Sequence, residues 1–148
     1  FDNLIINNKT AGTAVVSYYI TEEPINDTTY NPYTSAVFIH DNIYQRKAQI
    51  PTLDHKIGQL LFLRFGRNVP DIIYDGMLDP SLYSDDKNIL PDKRLCIQNN
   101  RNATYLNLDI ANNFDTWYQP IIATFNTNDL ECDCILNPIK KTTLLSYD

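Results

Sequence analysis

Three cysteines, Cys96, Cys132 and Cys134, bracket a run of short apolar segments, and this arrangement constrains the chain more than any other feature. Between them Leu106, Leu108 and Ile110 alternate with Asn107 and Asp109, the period of a half-buried strand. Cys132 and Cys134 lie two residues apart, so in a strand they face opposite sides, and joining them would close a strained ring. The expected disulfide therefore links Cys96 to one of the other two and leaves the third cysteine free or bonded elsewhere. Such a tie points to an oxidising compartment.

Three Asn-x-Thr acceptors agree with that compartment: Asn8-Lys9-Thr10, Asn26-Asp27-Thr28 and Asn102-Ala103-Thr104. Each lies in a turn-like setting. The expectation is a secretory-pathway glycoprotein, extracellular, at a cell surface or in the endoplasmic reticulum lumen. The composition, rich in Asn, Ile, Tyr and Asp, resembles that of membrane-protein ectodomains from that pathway. No apolar run approaches the roughly 20 residues that cross a bilayer as a helix. The net charge of −6 and the scarcity of basic clusters argue against nucleic-acid binding.

A length of 148 residues suits one domain spanning 1–148, large enough to bury its own core. Strand signals recur along it. Thr13–Ile20 is β-branched and aromatic, and Ala36–His40 is followed, after Asp41-Asn42, by a hairpin partner at Ile43–Lys47. Ile50–Phe65 is ambiguous. Leu53, Ile57, Leu60 and Leu61 fit a helix after Pro51 and Thr52, but Gly58 and the neighbouring strands favour a strand over Gln59–Phe65. Val69–Tyr74 and Leu95–Gln98 read as strands. So do Thr116–Phe125, interrupted by Pro120, and Thr142–Leu145. An acidic loop, 75–93, separates the halves. Eight to ten short strands, no long helix and no internal repeat predict an all-β, two-sheet antiparallel sandwich, Ig-like or jelly-roll-like with its topology open.

No catalytic arrangement stands out. There is no G-x-S-x-G, and the His40-Asp41 and Asp54-His55 pairs read as solvated turns. The predicted catalytic set is empty, and no metal site is assigned. No cofactor is predicted: the plain reading of this stretch is a solvated acidic loop, and calcium is the alternative, at Asp75, Asp79, Asp85 and Asp86, with Asp92 near them, because these are hard oxygen ligands on a loop. The 10 tyrosines supply the recognition chemistry. Tyr30, Tyr33, Met77, Leu82 and Tyr83 are the expected contact residues. The function these features predict is non-catalytic binding of a partner protein, as in the ectodomain of a membrane-anchored protein. The second reading is a lectin-like carbohydrate-binding module assisted by calcium.

Overall fold

The computed structural model describes residues 1–21, 23–83, 89–112, 127–128 and 132–137. The strands expected at Thr116–Phe125 and Thr142–Leu145, together with Asp85 and Asp86, lie outside them. Among the described residues seven strands and one α-helix follow in the order β1 (Leu4–Ile6), β2 (Thr13–Val15), β3 (Val37–His40), β4 (Ile43–Gln45), α1 (Lys56–Phe65), β5 (Ile72–Tyr74), β6 (Leu95–Gln98) and β7 (Tyr105–Asn107).

All the strand pairs among the described residues are parallel. β1 pairs with β4, β2 with β5, β5 with β7, and β3 with β6. The chain therefore visits three small sheets in turn and then returns to the first, where Arg101 bridges Ile43 in parallel. Each circuit stacks on the one before, as in a solenoid. This overturns the antiparallel sandwich. Among the described residues the antiparallel element is a single bridge, Tyr83 to Ile89. The hairpin expected across Asp41-Asn42 is likewise absent, because β3 and β4 lie in different sheets.

Asp41-Asn42 instead forms the tight corner from the third sheet to the first. The same corner recurs at Asp2-Asn3 and Asn99-Asn100. The first residue of each pair has positive φ, 57° at Asp2, 56° at Asp41 and 53° at Asn99, a conformation that Asp and Asn tolerate better than most residues. The second residue is a rung of an asparagine ladder. Asn42 Oδ1 accepts from the Asn3 amide at 3.1 Å and from Asn3 Nδ2 at 3.0 Å. Asn100 Oδ1 accepts from the Asn42 amide at 3.1 Å and from Asn42 Nδ2 at 2.8 Å, while Asn100 Nδ2 donates to the Ile39 carbonyl at 2.8 Å. Asn42, the middle rung, is 3 % exposed. Asn42→Ala is expected to cost about 2 kcal/mol in denaturant unfolding, since it removes the acceptor of the Asn3 amide and Asn3 Nδ2 and leaves Asn100 Oδ1 only the Asn42 backbone amide. A change within experimental error would show that the ladder contributes nothing.

Alternation along the strands divides the apolar residues between two clusters. Val15, Tyr44, Ile72, Tyr74, Ile97 and Tyr105 pack inside the coil. Ile73 and Leu106, one position out of phase, pack on the outside of the second sheet with Leu60 and Leu61 of α1. The strand expected at Gln59–Phe65 is thus a helix. Gly58 lies inside it and does not break it: a Cβ at Gly58 would sit 1.7 Å from the Thr52 carbonyl oxygen, so glycine lets the incoming chain cross the helix closely.

The disulfide joins Cys96 to Cys134, with Cα atoms 5.0 Å apart. It fastens the segment around residue 134 to β6, although residues 133–137 form no strand. Cys132 stands outside the disulfide. It is buried, and its Sγ lies 3.5 Å from the Tyr105 hydroxyl.

Candidate interaction surface

Connections between the second and third sheets are long. Residues 16–36 join β2 to β3, and 75–94 join β5 to β6. Because Val15 and Tyr74 are register partners, both loops leave the coil from adjacent rungs. Insertions placed this way on a stacked fold gather on one face.

Asp75 fastens the roots of the two loops. Its carboxylate is 0 % exposed; Oδ2 accepts from the Ser17 amide at 2.5 Å and Oδ1 from the Met77 amide at 3.0 Å. Loss of hydration in this buried position raises the Asp75 pKa above its ordinary 3.8, and hydrogen bonds from Ser17 and the Met77 amide only partly oppose the rise. A raised carboxyl pKa means that the folded state holds its proton more firmly than the unfolded chain. The corresponding stability is complete below 3.8 and is lost as pH climbs through the folded-state value. The stability of the wild type relative to Asp75→Asn should therefore fall as pH rises above 3.8. A difference that rises with pH over that range would contradict this assignment.

Gly76 follows with φ 77°, and a Cβ there would lie 2.6 Å from Asn107 Oδ1, so the second loop turns directly over the third rung. Farther out, Asn31 Nδ2 donates to Asp79 Oδ2 at 3.0 Å, joining the loops a second time. Asp79 Oδ1 also caps the Ser81 amide at 2.9 Å. The hydrogen bonds from Ser81, with a smaller contribution from Asn31, hold the Asp79 carboxyl below the usual range. In the first loop Asp27 is held low in the same way by the Thr29 hydroxyl and amide.

Tyrosines pair along this corner. Tyr30 meets Tyr18 edge to face, with ring centroids 5.6 Å apart, and Tyr33 lies tilted against Tyr19 at 5.2 Å. The hydrogen bond shared with Tyr19 is the main cause that pushes the Tyr33 hydroxyl up to about 12.

The structure places the expected contact residues unequally. Tyr30 and Tyr83 are 50 % and 43 % exposed. Tyr33 and Leu82 are half-buried, and Met77 packs against the cluster beneath α1. Asn31 and Asp79 do bring the loops of Tyr30–Tyr33 and Met77–Tyr83 together. Tyr18, Tyr19, Asn31 and the Ser17–Asp75 contact belong to the same corner but were not singled out from sequence. The Asp-Asn and Asn-Asn dipeptides at the tight corner were the available signal, since they set the register that stacks the loops.

Asn8, Asn26 and Asn102 are all exposed. Of the residues considered for calcium, Asp75 and Asp79 already accept the hydrogen bonds above. Among the described residues no group of three His, Cys, Asp or Glu could hold a metal ion. His40 Nδ1 bonds its neighbour Asp41 Oδ2 at 2.6 Å, and His55 precedes α1 without a side-chain cap bond. A separate groove of about 840 Å³ is lined by Ala14, Val16, Ile20, Ile57, Leu61 and Ile73 among others. No helix among the described residues is long and apolar enough to cross a membrane. No protein-family model, curated protein or solved structure matches the chain.

Proposed function

We propose that this chain is a non-catalytic, glycosylated domain of the secretory pathway that binds a partner protein through the tyrosine-bearing corner. The observation that carries the reading is the convergence of two long loops on adjacent rungs, joined by Asp75 and by the Asn31–Asp79 bond. Stacked folds commonly recognise partners through insertions gathered on one face, and tyrosine gives large contact area at low conformational cost. The Cys96–Cys134 disulfide supports the oxidising compartment. The exposed asparagines at 8, 26 and 102 are accessible to a glycosyltransferase.

A photo-crosslinking residue at Tyr30 or Tyr83, in cells that make the protein, tests this reading. Both positions should give the same protein adduct, and Leu63 on the exposed side of α1 should give none. Adducts at Leu63 alone would move the interface elsewhere. Specific binding to a glycan array, abolished by Tyr30→Ala, would replace a protein partner with a carbohydrate.

A further inference from the structure

We infer that the tyrosine corner receives an arginine-bearing segment of its partner. The inference rests on the partner-binding reading and supplies its chemistry. Residues 16–36 contain Glu22, Glu23 and Asp27 and no lysine, arginine or histidine. The second loop adds Asp79, which Asn31 draws against the first. Asp27 and Asp79 are fixed by local hydrogen bonds that also keep them ionised, so their charges are preorganised. The second loop, 75–94, also carries Lys87, Lys93 and Arg94 against Asp75, Asp79, Asp85, Asp86 and Asp92, so the two loops together remain acidic; Lys93 is engaged by Asp92 at 3.6 Å.

The aromatic half of the surface points the same way. Tyr30 is held on edge by Tyr18 and is half exposed, and Tyr83 is exposed on the second loop. A planar guanidinium stacks on a tyrosine face while donating in-plane hydrogen bonds to a carboxylate; a lysine ammonium lacks that planar fork. The net charge of −6 would draw a cationic segment toward the chain from a distance.

The probe is a synthetic peptide of alternating arginine and glycine, titrated against the intact glycoprotein by calorimetry. A citrulline-glycine peptide of equal length, similar in shape but uncharged, is the control. Saturable binding of the arginine peptide is expected, with much weaker binding of the citrulline peptide. Tyr30→Ala and Asp79→Asn should each weaken it about five-fold, Tyr30→Phe should retain it, and Asp54→Asn, an exposed acid beside α1, should leave it unchanged. Equal binding of both peptides, no binding, or binding indifferent to Tyr30 and Asp79 would overturn the inference. Capture of a partner at Tyr30 and Tyr83 without arginine-peptide binding would sink this inference alone. The reverse combination would sink the native-partner reading and leave the arginine site standing.

Discussion

Cys96→Ser is expected to lower the unfolding free energy by about 4 kcal/mol, the largest single effect foreseen for this chain. The crosslink spans a sequence separation of 38, and the chain-entropy model assigns about that much to closing such a loop in the unfolded state. Its native-state role is to hold the segment around residue 134 against the outer side of β6, where Cys96 alternates with the inward-facing Leu95 and Ile97. Cys134→Ser should cost about as much, and the double variant little more, because all three break the same bond. Additive losses, or a single loss under about 1 kcal/mol, would mean that the tie contributes little to holding the fold. Guanidinium unfolding under non-reducing conditions measures this directly.

Gly58→Ala is expected to destabilise by about 3 kcal/mol, against the ordinary rule. Inside an exposed helix the same change normally stabilises by about 0.5–1 kcal/mol, because glycine loses more backbone freedom on folding. Here the new methyl would lie 1.7 Å from the Thr52 carbonyl oxygen, so either the chain entering α1 or the helix itself must move. Moving the helix disturbs Leu60 and Leu61, which cover Ile73 and Leu106. A stabilised Gly58→Ala protein would show that the crossing of Thr52 over α1 is wrongly placed.

That same glycine explains one misreading of the sequence. The apolar spacing at Leu53, Ile57, Leu60 and Leu61 fits a helix, and Gly58 argues against one only if its cost has no compensation. The compensation is a contact with Thr52 that no local pattern reveals. The strand signals were legible at β3 and β6 as short apolar runs and at β7 by alternation. Alternation does not reveal the partner strand. Parallel stacking was hidden because equivalent corners recur at unequal intervals: Asn3 to Asn42 is 39 residues and Asn42 to Asn100 is 58, since the second circuit carries α1. Without a fixed period the Asp-Asn and Asn-Asn dipeptides passed as ordinary turns. The pairing of Cys96 with a later cysteine was legible from spacing; that Cys134 and not Cys132 takes part depends on which side chain faces out.

The candidate surface was legible in part for the same reason. Tyr30 and Tyr83 were chosen for their place on polar loops; sequence does not separate exposed tyrosines from core ones, and their exposure comes from the structure. Asp75 read as one more acid in a solvated loop, whereas burial and the amides of Ser17 and Met77 make it the joint between the two loops. Met77, chosen for contact, is drawn inward by the cluster under α1.

Everything assigned to the corner depends on the parallel stacking that sets the two loops on adjacent rungs, and nuclear Overhauser contacts in solution test that stacking most directly. The Asn42 side-chain amide should show contacts to both Asn3 and Asn100, and backbone protons of Ile72 should contact those of Thr13 and Tyr105. Antiparallel contacts joining residues 36–40 to 43–47, with none from Asn42 to Asn3 or Asn100, would contradict it.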